Sequence, residues 1–101
     1  MGKQWIVYIL QCADGTLYTG ITDDLPRRLE AHRTGRGGKY TRGRGPLTLR
    51  YTEKCEDRSH ALRREIQVKK LSRHDKLMLC ETYNLEKDNE HEAILGNGRN
   101  N

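Results

Sequence analysis

The chain offers few of the features that take a protein out of a reducing, aqueous compartment. Its three cysteines, Cys12, Cys55 and Cys80, are odd in number and include no Cys-x-x-Cys pair. That argues against both a disulfide framework and a zinc ribbon and leaves reduced thiols as the simplest reading. His60 and His74 do not change this, because with Cys55 and Cys80 they match no zinc-ligand spacing. The apolar run Trp5 to Leu10 covers six residues, too short for a membrane span or a signal-peptide core. Met1-Gly2 lacks the Ser or Thr that a myristoylation pattern wants at the sixth position, which here is Ile6. No internal repeat is present. A cytoplasmic protein with no membrane partner is the expectation.

What is present is positive charge, unevenly spread. At 101 residues the chain has room for one domain with a modest core. Residues 1–26 carry a net −2, residues 27–80 hold sixteen Lys/Arg against six Asp/Glu for a net +10, and residues 81–101 carry −3. A basic body with an acidic tail concentrates polyanions through long-range attraction and counterion release, so nucleic acid is the first partner to consider. Charge alone fits a solvated basic face equally well. Motifs have to separate the two.

Residues 5–12, rich in Ile, Val and Tyr, read as a strand, and Leu17 to Thr22 as a second joined to it through Asp14-Gly15. Loop length decides where the tyrosines point. A two-residue loop puts Tyr8 and Tyr18 on opposite faces. A three-residue loop Ala13-Asp14-Gly15, with Gly15 left-handed, pairs Cys12 with Thr16 and Tyr8 with Gly20, so that both tyrosines share a face and Gly20 leaves space for the Tyr8 phenol. Asp23-Asp24-Leu25-Pro26 opens a helix whose stripe of Leu25, Arg28, Leu29 and His32 faces the sheet, the two leucines packing on it. Residues 33–45 hold five basic residues, five glycines and no acid, too much glycine for a regular element. Leu47 to Cys55 reads as a third strand after Pro46. A helix is expected from about Asp57 to Leu71, with Ala61, Leu62, Ile66 and Lys69 on one side and Arg63, Arg64, Gln67 and Lys70 on the other. Ser72-Arg73-His74-Asp75 reads as the start of a shorter helix including Leu77, Met78 and Leu79. The expected division is a domain over 1–80 and a polar acidic tail over 81–101, disordered for want of apolar periodicity.

Glu65 falls among Ala61, Leu62 and Ile66 on the expected inward stripe, where a carboxylate must be paired or must hold a cation. Taken alone it reads as a partner for Lys69 four residues on. Arg28 suits a planar, permanently charged clamp on two phosphate oxygens. His32 reads either as an edge histidine or as a hydrogen-bond partner of a phenol or a leaving oxygen. Arg33, Arg36, Lys39, Arg42 and Arg44 would contact a phosphate backbone, with Tyr40 available to stack on an unpaired base.

Val7-Tyr8-Ile9, Tyr18-Thr19-Gly20, Arg28 ten residues after the second tyrosine, His32 four later, and Ala61 and Glu65 on a following helix form an ordered set. That set resembles the GIY-YIG nuclease domain, over about Trp5 to Lys76, and the compact length and Gly/Arg loop resemble its small stand-alone bacterial members. Val7 and Thr19 replace the first Gly and the middle Ile of the motifs, which are backbone and packing positions. Larger relatives add a polar residue, often Asn, after the metal helix, for which Asn84 is the nearest candidate. The resemblance implies an α+β fold, a three-stranded antiparallel sheet flanked by helices, and a phosphodiesterase using one divalent metal. By matching position it implies that Tyr8 and Tyr18 bracket the attacking water and scissile phosphate, that Arg28 neutralises developing charge, and that Glu65 binds Mg2+ or Mn2+. The expected function is an endonuclease acting on DNA, at branched or damaged sites, with a role in DNA repair. The alternatives are a nucleic-acid-binding adaptor that retains the fold but cleaves little, and an RNA-directed protein. Target choice would come from the loop, a protein partner or DNA shape.

Overall fold

The computed structural model describes residues 4–37, 41–43 and 45–83. Its elements are β1 (Trp5–Gln11), β2 (Leu17–Thr22), α1 (Leu25–Arg33), β3 (Thr48–Cys55) and α2 (Arg58–Lys70), followed by a helix α3 over 73–83. The sheet is antiparallel throughout in the order β2-β1-β3. The central place falls to β1 because Val7, Tyr8, Ile9 and Leu10 are all buried, and only a strand covered on both faces can bury consecutive residues.

The three-residue loop forms as the register argument requires. Gly15 takes φ +87°, Cys12 N–H donates to Thr16 O at 2.8 Å, Thr16 N–H donates to the Asp14 carboxylate at 3.0 Å, and Tyr8 pairs with Gly20. Side chains then alternate between two faces. Val7 and Ile9 point to one, where they form the core with Cys55, Ala61, Val68 and Cys80, so α2 and α3 cover that face. Tyr8 points to the other, which belongs to α1 and the loop after it.

Each helix starts where a short polar side chain can cap it. Asp24 accepts from Arg27 N–H at 3.2 Å ahead of Pro26, Asp57 accepts from His60 N–H at 2.8 Å, and Ser72 accepts from Asp75 N–H at 3.0 Å. At the end of α1, Gly35 with φ +83° lets Arg36 N–H reach back to Ala31 O at 2.7 Å. This reverses the chain at the end of the helix, and the described residues Gly37 and Thr41 contact Arg28 and His32.

Two expected faces are corrected. Ile66 is 54% exposed, and Val68 is the buried apolar residue of α2 beside Ala61. Moreover Arg64 does not face solvent: it pairs with Glu53 on β3 at 3.0 Å, and Tyr51 donates to the same carboxylate at 2.6 Å. The inward stripe is therefore rotated to Ala61, Arg64, Glu65 and Val68, with Ala61 and Val68 packed in the core and Arg64 paired with the sheet. In α1 the only buried residue is His32, while Leu25 and Leu29 are half-buried. The boundary expected at residue 80 falls inside α3, which continues to residue 83; the rest of the expected tail lies outside the described residues. Cys12, Cys55 and Cys80 are buried and none forms a disulfide.

Candidate active site

The hairpin register places Tyr8 and Tyr18 on one face in diagonal pairing, with ring centroids 6.3 Å apart. Gly20 makes this arrangement fit. A Cβ at that position would lie 2.7 Å from the Tyr8 hydroxyl oxygen and 3.0 Å from a Tyr18 ring carbon, so any side chain would force the phenol out.

From α1, one helical turn apart, Arg28 and His32 descend onto this pair. The Tyr8 hydroxyl lies 2.8 Å from His32 Nε2, and Arg28 Nε donates to the same oxygen at 3.3 Å. The His32 ring also stands edge-on to Tyr18, 5.2 Å between centroids. Two residues that sequence reasoning did not single out complete the arrangement. Gly37 accepts from Arg28 Nη2 at 3.0 Å through its carbonyl, and its backbone crosses so close to His32 that a Cβ would sit 2.2 Å from Nδ1. Thr41, itself buried, places its hydroxyl 2.9 Å from that Nδ1. The only signal for either was their place in a loop that returns over α1, a consequence of the Gly35 reversal rather than of local composition.

Burial and charge set the protonation. Removal from water pushes the Tyr8 phenol up to about 12, with the Arg28 guanidinium acting against that rise. The same burial, aided by Arg28, pulls His32 below its usual range. Arg28 is held charged by its hydrogen bond to Tyr8. At neutral pH the centre is thus a neutral phenol between a neutral imidazole and a fixed cation. Tyr8 has no exposed surface whereas Tyr18 and Arg28 are half-exposed, so an incoming anion meets Tyr18 and Arg28 first.

The structure brings together Tyr8, Tyr18, Arg28 and His32. Glu65 stands on α2, which packs against the face carrying Val7 and Ile9, and its carboxylate pairs with Lys69 at 3.2 Å. Among the described residues no three His, Cys, Asp or Glu side chains cluster closely enough to hold a metal ion by themselves. Of the expected nucleic-acid contacts, Arg33, Arg36 and Arg42 are exposed, and Arg33 is engaged by both carboxylate oxygens of Glu30 at 3.1 and 2.6 Å. Lys39, Tyr40, Arg44 and Asn84 lie outside the described residues. No helix among the described residues is long and apolar enough to cross a membrane.

Comparison with known proteins decides the family. The family model described as the GIY-YIG catalytic domain matches residues 4–84. The chain belongs to the GIY-YIG family. Similar GIY-YIG-type chains include a UPF0213 protein of Halobacterium salinarum, 54% identical over 70 residues, covering 69% of this chain and 91% of that one. A UPF0213 protein of Oceanobacillus iheyensis is 49% identical over 81 residues, covering 80% of this chain and 94% of its own length. Two solution NMR structures share the fold. One is a UPF0213 protein of Bacillus halodurans, with TM-score 0.51, 47% identity, and coverage of 78% of this chain and 84% of that one. The other is a protein of E. faecalis, with TM-score 0.58, 41% identity, and coverage of 83% and 90%. A GIY-YIG domain is nuclease-like, and the substrate class it implies is nucleic acid.

Proposed function

We propose that this GIY-YIG domain is a metal-dependent endonuclease that hydrolyses phosphodiester bonds in DNA. The observation that carries the reading is the convergence of Tyr8, Tyr18, Arg28 and His32, in which a phenol is flanked by a fixed cation and a neutral imidazole. Arg28 has five N–H donors, which serve Tyr8 and Gly37 and also reach Tyr18; those left over suit the non-bridging oxygens of a phosphate. Its permanent charge stabilises the extra negative charge of the pentavalent transition state. In this reading Tyr8 takes a proton from the attacking water while giving up its own hydroxyl proton to His32 Nε2, and Tyr18 orients that water or the phosphate from the more exposed side.

The donors offered to an ion of the Mg2+ or Mn2+ kind amount to one carboxylate, now paired with Lys69, so such an ion would fill its other positions with water and phosphate oxygens. Glu65 is the carboxylate that would hold it, releasing Lys69. Bound there, the ion would supply charge stabilisation for the phosphate and lower the proton affinity of water. Arg36, Arg42 and the rest of the loop of residues 33–45 supply the electrostatic hold on the backbone, together with Lys39, Arg44 and Tyr40. Target choice at branched or damaged DNA, and a role in repair, would follow from the loop, from duplex deformability or from a protein partner.

Two observations favour a second reading, a nucleic-acid-binding adaptor with little cleavage: the complete burial of Tyr8 and the engagement of Glu65 by Lys69. One experiment separates the two. Labelled duplex, flap, four-way junction and single-stranded DNA, with RNA counterparts, are incubated with the protein in Mg2+ and in chelator. Metal-dependent nicking that is lost in Arg28→Ala and Glu65→Ala supports the enzyme. Binding without cleavage of any substrate establishes the adaptor.

A further inference from the structure

Three hydrogen-bond contacts converge on Tyr8 and His32, and their donor and acceptor roles are interdependent. Arg28 has only donors to offer, so the Tyr8 oxygen accepts from Nε. A neutral imidazole has one N–H and one bare nitrogen, and its two nitrogens are committed, Nε2 to Tyr8 and Nδ1 to Thr41. If the ring proton were on Nε2, two positively polarised N–H groups would face one neutral oxygen and the proton of Tyr8 would have to turn from His32 to Tyr18, its other hydrogen-bond neighbour. With the proton on Nδ1, the Thr41 oxygen accepts it, Nε2 accepts from Tyr8, and Tyr8 accepts from Arg28. Every group is then satisfied in one direction around the chain of contacts, each bond polarising the next.

We propose that Thr41 is a positioning residue that holds His32 with its proton on Nδ1, leaving Nε2 bare to take the proton of Tyr8 when that phenol acts on the attacking water. The role in chemistry rests on the nuclease reading above; the hydrogen-bond tie does not. In the step, a water proton passes to the Tyr8 oxygen as the Tyr8 proton passes to Nε2, and the hydroxide so formed makes the new P–O bond while the leaving oxygen departs with the bonding pair and takes a proton from solvent. The enzyme is left with a neutral phenol and an imidazolium whose Nδ1–H remains on Thr41, one proton above its starting state. That proton must reach water.

Tyr8 and His32 are at most 2% exposed, so the release path is internal. His32 and Thr41 both line a pocket of about 290 Å3, closed further by Thr34, Gly43, Gly45 and Pro46. At roughly 30 Å3 each, several waters fit there beside polar groups. Gly37 leaves room for the ring beside it, since a Cβ there would sit 2.2 Å from Nδ1, so a side chain at this position would displace the imidazole that Thr41 holds.

The test reads the tautomer directly. Long-range 1H–15N spectra of the metal-free protein at about pH 8 report which ring nitrogen carries the proton, with no need for activity. The expected result is His32 as the Nδ1–H form in the parent and in Thr41→Ser, and loss of at least half of that form in Thr41→Val, which keeps the shape and removes the oxygen. In single-turnover cleavage of the best DNA substrate, Thr41→Val should be slowed on the order of 10-fold with unchanged DNA affinity, and Thr41→Ser should recover the parent rate. An Nε2–H parent, or an Nδ1–H form undiminished in Thr41→Val, overturns the proposal whatever the activity. An unchanged cleavage rate in Thr41→Val overturns its link to the chemistry. If Thr41→Val does not fold, the parent and Thr41→Ser spectra still decide the tautomer. A parent that shows the Nδ1–H form but cleaves nothing overturns the nuclease reading and supports the tie.

Discussion

Raising the pH above the ordinary range of tyrosine should weaken this fold through Tyr8 in a way that can be isolated by one substitution. Burial holds its phenol at about 12, against 10.0 for the free side chain. A group whose proton is held more tightly in the folded state adds stability that is complete below the unfolded value and is lost as the pH climbs through the folded one. The window is therefore about pH 10 to about pH 12. A gap of this size corresponds to roughly 2.7 kcal/mol, most of which is gone by pH 12. Tyr8→Phe keeps the ring and removes the titration. At pH 8 it should already be less stable by about 1–2 kcal/mol, since His32 Nε2 and Arg28 Nε each lose their partner in a buried site. The informative quantity is the difference between parent and variant in urea midpoints measured from pH 8 to pH 12. It should shrink, and it should change sign near the top of the range. Tyr51, which burial and the Glu53 carboxylate also raise to about 12, is present in both proteins and cancels. A parent-to-variant difference constant to within about 0.5 kcal/mol over the whole range would refute the burial of the Tyr8 phenol and with it the geometry of the site.

Four further outcomes follow from the same contacts. Val68→Ala removes two methyl groups from a residue with no exposed surface and should cost about 2 kcal/mol, whereas Ile66→Ala, at 54% exposure, should cost well under 1; chemical denaturation checks both. Gly37→Ala places a methyl within 2.2 Å of His32 Nδ1, so it should cost about 1–3 kcal/mol and slow any cleavage, read by thermal melting and by nicking assays. Toward acid, the lowered His32 keeps its full contribution above about pH 6.5 and loses it as the pH falls below that value, so His32→Asn should flatten the acid limb of the stability curve. Replacing Arg33, Arg36 and Arg42 with Ala should flatten the salt dependence of DNA binding by about two rather than three phosphate contacts, because Glu30 already engages Arg33; an unchanged slope in filter binding would show that the loop faces away from DNA.

Much of the architecture was legible because it rests on local rules. The loop Ala13-Asp14-Gly15 could be read because only an odd loop with a left-handed glycine puts two tyrosines on one face, and the register of a sheet has period two. The caps at Asp24, Asp57 and Ser72 are short-range hydrogen bonds between neighbours in sequence, so their positions follow from residue type. Arg28 and His32 could be placed together because residues four apart share a helix face.

The tertiary structure alone decided what depends on residues far apart in the chain. Which stripe of α2 turns inward was decided by the packing of Ala61 and Val68 into the core under the sheet, which carries Arg64 to Glu53, eleven residues away in sequence, and leaves Ile66 in water. That the loop after α1 folds back to lay Gly37 and Thr41 on His32 was set by closure against a buried ring, which no pattern within a glycine-rich segment encodes. The fate of Glu65 was the most conditional. Its spacing allowed both a lysine partner and a cation, and in the fold the carboxylate takes Lys69, the charge that helical spacing keeps within reach.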